Sequence, residues 1–127
     1  LRHALEVRHP SFVDPDFVAL ARRHSVAIVY ADHETYPALA DVTADFSYAR
    51  LQRSRETEPD GYPGAELDTW AARCRDWTAG RAPADLPAAG TAAKPRGKAE
   101  HDVFAFFIAG DKVKAPAAAL ALIERLR

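Results

Sequence analysis

The chain has 127 residues, with 17 lysines and arginines against 18 aspartates and glutamates, for a formal net charge of −1. That is the size of one domain, its charge balance argues against a generic polyanion binder, and no apolar run approaches the roughly 18 residues of a membrane span. The apolar fraction of 48% includes 27 alanines, which bury little area each, and the one cysteine, Cys74, excludes an internal disulfide framework and any zinc site built on several thiolates.

The chain contains no methionine, so Leu1 is not a retained translational start, and the expectation is a fragment of a longer protein. No secretory signal stands at the start, and together with the cysteine usage this points to the cytoplasm. Ala4 to Val7 reads as a short buried strand, ended by Arg8, His9 and Pro10. Asp14 followed by Pro15 is an N-cap with a first-turn proline, opening an amphipathic helix with Phe17, Leu20, Ala21 and His24 on one face. Val26 to Ala31 is a continuous apolar run, the pattern of a parallel strand covered on both faces. A short helical turn near Tyr36 to Ala40 is expected in the tight connection that follows.

Phe46 to Leu51 is the third strand, with Phe46, Tyr48 and Arg50 on one side and Ser47 and Ala49 on the other. A polar loop, 52–64, leads to the clearest helix, where Leu67, Trp70, Cys74 and Trp77 recur at helical spacing and Gly80 marks the stop. Residues 81–100, rich in proline, alanine and glycine, have no period and read as a flexible surface loop with a solvated basic end at 94–98. Val103 to Ile108 is the last strand, and Ala115 or Pro116 opens a helix whose apolar residues are Leu120, Leu122, Ile123 and Leu126. The predicted fold class is therefore α/β, with four β-α units. No glycine-rich turn follows any strand, which removes the dinucleotide-binding signature and leaves half of a (β/α)8 barrel as the leading architecture.

The chain resembles the carboxyl half of the YecE-like barrels, also called domain of unknown function 72. The resemblance is carried by Glu6-Val7-Arg8-His9-Pro10-Ser11-Phe12, the strand 26–32, Tyr48-Ala49-Arg50-Leu51, Tyr62 with Leu67, Trp70 and Ala71, residues 103–107, and Ala115-Pro116. It implies a barrel related in architecture to sugar-isomerase and apurinic-endonuclease barrels, and no established activity. Two positions depart from the family pattern. Gln52 and Arg53 stand where His-Gly is common, and Ile108 and Ala109 stand where paired asparagines are common, which removes side-chain amides from that strand end.

In a β/α barrel, functional side chains come from the carboxyl ends of the strands. Those ends supply Glu6, Arg8, His9, Asp32, His33, Arg50 and Gln52. The functional expectation is an Arg8 and Arg50 clamp for a phosphate- or carboxylate-bearing ligand, with Gln52 beside it, Tyr62 on the rim, and Glu6 or Asp32 as acid or base in a hydrolase. The structural alternative is that these charges neutralise one another, giving a non-catalytic binding module or a half-barrel that pairs with a second copy. A divalent metal held by Glu6, His9, Asp32 and His33 is a weaker pattern, because adjacent strand residues point to opposite faces. Ser11 lacks a nucleophile elbow despite His9 nearby, and Cys74, Trp70 and Trp77 read as core. Arg50, Arg53 and Arg55, with Arg73 and Arg75 later, suggest contact with a nucleic-acid backbone, but Glu56, Glu58 and Asp60 blunt that field and favour a charged, solvated loop.

Overall fold

Asp14 and Pro15 start the first helix as their chemistry dictates. The Asp14 carboxylate accepts the Asp16 backbone N–H at 2.7 Å, and helix α1 runs Pro15–Arg23. The computed structural model describes residues 1–94 and 101–127, so Lys98 and the rest of 95–100, part of the expected loop and its basic end, lie outside the described residues. The elements around α1 are β1 (His3–Leu5), β2 (Val26–Asp32), β3 (Phe46–Leu51), α2 (Gly64–Thr78), β4 (Asp102–Phe107) and α3 (Ala115–Leu126). The strands form one parallel sheet in the order β1-β2-β3-β4, so each pairs with its neighbour in sequence. Among the described residues, no helix is long and apolar enough to cross a membrane.

Alternation along the strands divides the sheet into two unlike faces. Tyr30, Ala49 and Leu51 point to the helical side, where they pack with Leu67, Trp70, Cys74 and Trp77 of α2 and Ala118 and Leu122 of α3. Ile28 on the same side joins Val18 and Ala21 of α1 with Val7 and Leu39. The opposite face carries Phe46, Tyr48 and Arg50 beside Phe104 and Phe106, in register. Tyr48 stacks on Phe106 at 4.9 Å, and Phe46 meets Phe104 edge-on at 6.0 Å. No helix covers this side among the described residues, and Phe104 and Phe106 stay 39% and 42% exposed.

Four sequence expectations are corrected. The first strand is an exposed edge, not a buried strand, because β1 has a single neighbour; Val7, past its end, is the buried residue. Leu20 lies 48% exposed while Val18 takes the buried position of α1. Of the four apolar residues expected to bury α3, only Leu122 does so, together with small Ala118; Leu120, Ile123 and Leu126 are exposed. The helical turn over Tyr36–Ala40 does not form, so the second of the four expected β-α units has no helix and the four strands carry three α-helices among the described residues. Pro37 disfavours helical geometry at Tyr36, and the segment runs on as a non-helical, mostly buried strap from Leu39 to Ala44.

That strap satisfies its backbone through distant partners instead of a helical ladder. Ala40 N–H donates to the Pro87 carbonyl at 2.8 Å, Trp77 Nε1 donates to the Ala40 carbonyl at 3.3 Å, and Arg22 Nη2 donates to the Val42 carbonyl at 2.9 Å. The Thr43 hydroxyl donates to the Val26 carbonyl at 2.6 Å and accepts the Ile28 N–H at 3.2 Å. The buried Asp41 carboxylate accepts the Ala89 and Gly90 N–H groups at 2.9 and 2.8 Å. Residues 82–93 thereby lie against the strap, with Ala82, Leu86 and Ala93 packed on the core.

Candidate functional site

The carboxyl end of the sheet gathers three of the charged residues expected there. Both oxygens of Glu6, just past β1, are engaged: Oε1 accepts from Arg50 Nη1, and Oε2 accepts from Arg8 Nε at 2.9 Å and forms an ion pair with Arg8 Nη2 at 2.8 Å. Arg50 reaches Glu6 because it ends the aromatic row of β3 on the uncovered face. Burial alone pushes the Glu6 carboxyl up, but the hydrogen bonds from Arg50 and Arg8 outweigh it and hold it below the ordinary carboxylate value. Two guanidinium groups on one carboxylate leave a local charge of +1. Arg8 Nη1 and Arg50 Nε and Nη2 have no hydrogen-bond partner among the described residues.

The depressed Glu6 carboxyl sets a sign for acid behaviour. A carboxylate whose folded pKa lies below its unfolded one stabilises the fold above the unfolded value and loses that contribution as pH falls through the folded one. Glu6→Gln is therefore expected to be less stable than wild type at pH 7, with the difference shrinking below about pH 4. Urea unfolding from pH 7 to 3 measures it, and a difference independent of pH contradicts it.

The other expected residues are placed differently. Asp32 does not join the cluster: the register sets Ala31 opposite Arg50 and Asp32 opposite Leu51, so Asp32 turns to the helical face and pairs with Arg53 at 3.0 Å. Burial raises its pKa, and Arg53 and Arg73 pull it back only in part. Tyr62 does not line the rim. It is 2% exposed, its hydroxyl accepts the Arg53 N–H at 3.0 Å, and burial pushes its pKa up to about 12. Gln52 stands beyond β3 with Nε2 buried and unpartnered among the described residues.

The metal arrangement does not assemble. His9 Nδ1 accepts the Ser11 N–H at 3.2 Å and so caps the 3₁₀ turn Pro10–Phe12, while His33 Nδ1 accepts the Thr35 N–H at 3.1 Å. Among the described residues, no three His, Cys, Asp or Glu side chains come together as a metal site. Glu6, His9, Asp32 and His33 are thus not gathered into a cation site among the described residues. The arginines considered for nucleic acid are engaged elsewhere: Arg55 with Glu66, Arg73 with Asp85 and over the Trp70 ring, and Arg75 with the Arg125 carbonyl. Cys74 is buried in the core, where desolvation lifts its thiol to about 11.

Two features escaped the sequence reading. Tyr36, expected only as part of a helical turn, lies with its ring 4.6 Å from the Arg8 guanidinium carbon and stacks on His33 at 4.0 Å. The aromatic-proline pair Tyr36-Pro37 after a strand end was the available signal. At the opposite end of the sheet, Ser47 Oγ and His101 Nε2 meet at 2.9 Å, a pairing 54 residues apart that no local pattern announces.

The loops that frame the carboxyl end are locked to each other. Ser54 Oγ donates to the Asp111 carbonyl at 2.9 Å, and Asp111 N–H donates to the Ser54 carbonyl at 3.0 Å. Gly110, at φ +55°, permits this approach, because a Cβ there would lie 2.7 Å from the Ser54 carbonyl oxygen. A groove lined by Cys74, Thr78, Phe107, Leu122 and Ile123 lies on the outer side between α2, β4 and α3, away from Glu6 and the two arginines.

No curated protein and no solved structure matches the chain. A family model described as "Protein of unknown function DUF72" matches it over residues 1–127.

Proposed function

The chain belongs to the DUF72 family, a description that carries no activity, and from the geometry we propose that the carboxyl end of its sheet binds a small anionic ligand bearing a phosphate or carboxylate. The observation that carries this reading is the pair of guanidinium groups fixed on Glu6, each with N–H donors directed to no other group. A carboxylate that holds two arginines orients them before a ligand arrives, so less side-chain entropy is lost on binding. Gln52 supports the same reading through an amide donor left without a protein partner.

The architecture in this reading is half of an eight-stranded barrel. It is supported by the two sheet edges, each with one neighbour, and by the exposed Phe104 and Phe106, which suit the packed interior of a closed barrel. Closure would put Arg8 and Arg50 at the barrel mouth. In this reading Glu6 stays ionised between the two arginines and serves to orient them, while Asp32, turned to the helical face and paired with Arg53, stands outside the anion-binding cluster.

Arg50→Ala is the test. Titrating inorganic phosphate calorimetrically into the full-length protein and the variant is expected to show about ten- to hundredfold weaker binding in the variant, as loss of a charge-assisted pair implies. The melting temperature is expected to move little, because the Arg8 contact to Glu6 remains. A large fall in melting temperature, with no phosphate binding by the wild type, would mean that the cluster is only a structural ion-pair network.

A further inference from the structure

We propose that Tyr36 is the positioning residue for Arg8, with His33 as its backing, an inference that rests on the anion-binding reading of the mouth. Arg8 is the more exposed of the two arginines, its side chain 56% accessible against 28% for Arg50. A long exposed side chain held by one carboxylate keeps considerable rotamer freedom. Two different contacts restrict it here: Glu6 holds the guanidinium through Nε and Nη2, and the guanidinium carbon lies over the Tyr36 ring, 4.6 Å from its centroid.

The ring is itself fixed. His33 stacks on it with centroids 4.0 Å apart and planes 13° apart. The imidazole and the Arg8 guanidinium thus both pack on the Tyr36 ring. Thr35 N–H and hydroxyl at His33 Nδ1, at 3.1 and 3.2 Å, hold the imidazole to its own turn. On the other side, Pro37 restricts Tyr36 to extended geometry, and buried Leu39 and the Ala40 hydrogen bond to Pro87 anchor the chain two steps later. The connection after β2 thus acts on the mouth through one aromatic ring, and Arg8 Nη1 is left without a partner among the described residues.

Tyr36→Phe keeps the ring and Tyr36→Leu removes it, so the pair separates positioning from polarity. Phosphate titration is expected to give wild-type affinity for Tyr36→Phe and about three- to tenfold weaker binding for Tyr36→Leu, the size of a lost cation–π contact. A second readout needs no ligand. In the wild type and Tyr36→Phe, the Arg8 side-chain Nε–H proton resonance carries a ring-current shift, and in Tyr36→Leu that shift disappears. Unchanged Arg8 resonance and unchanged phosphate affinity in Tyr36→Leu would overturn the proposal. Absence of phosphate binding in the wild type would overturn the reading of the mouth, and the Arg8 resonance would still decide whether Tyr36 fixes this arginine.

Discussion

Truncating Trp77 to alanine is expected to cost about 3–5 kcal/mol of stability, the range for removing a large buried aromatic. Trp77, in the last turn of α2, is 2% exposed and lies against Tyr30 of the sheet, with ring centroids 5.8 Å apart. Its loss opens a cavity there, and it also removes the Nε1 donor from the Ala40 carbonyl, inside a strap that has no helical ladder to fall back on. Trp77→Phe separates the two effects, because it keeps much of the ring and loses the N–H. Urea unfolding of both variants measures them; a loss below about 1 kcal/mol for Trp77→Ala would show that the packing of α2 on the sheet is not a major source of stability.

Gly90→Ala is the second large effect, expected near the upper end of the roughly 1–3 kcal/mol that overpacking costs. A Cβ at Gly90 would lie 2.5 Å from Val18 Cγ1 and 2.8 Å from Val18 Cβ, and Val18 is fully buried in α1. The loop cannot retreat freely, since the Gly90 and Ala89 N–H groups are the hydrogen-bond donors to the buried Asp41 carboxylate. Moving away would leave that carboxylate short of partners in a desolvated place. A double-mutant cycle with Val18→Ala checks the mechanism: the two changes together are expected to cost less than the sum of each alone. Additive effects would place the clash elsewhere.

The contrast between what sequence pattern reveals and what it hides follows from range. Local chemistry marked the Asp14 cap, the bounds of β3, and the α2 stripe Leu67, Trp70, Cys74 and Trp77, because each depends on neighbours within a turn or a strand. The site was half legible for the same reason. Period-2 alternation puts Glu6 with Arg8 and ends the β3 row on Arg50, but whether Asp32 faces them depends on the β2–β3 register, which is a tertiary quantity. A single residue of parity sends it to Arg53 instead.

The missing helical turn and the exposed face of α3 were illegible on other grounds. An apolar stretch such as Pro37-Ala38-Leu39-Ala40 has no period strong enough to distinguish a short helix from a buried strap. Which answer holds was decided by residues 87–90, almost fifty positions later. In α3, alanine-rich composition hides the buried face, because Ala118 fits the close approach of α2 and outranks larger residues that point away.

The strap has a temporal consequence for a chain made from its amino end. All strand pairings join consecutive strands, so β1, β2 and β3 can zip together as soon as Leu51 has emerged from a ribosome. The Ala40 N–H and the Asp41 carboxylate, however, have their partners at Pro87, Ala89 and Gly90. Until some forty further residues have been synthesised, several seconds at ordinary elongation rates, the nascent amino-terminal half holds a paired sheet with an unsealed flank. The clasp that closes it arrives only after α2 has been translated in full.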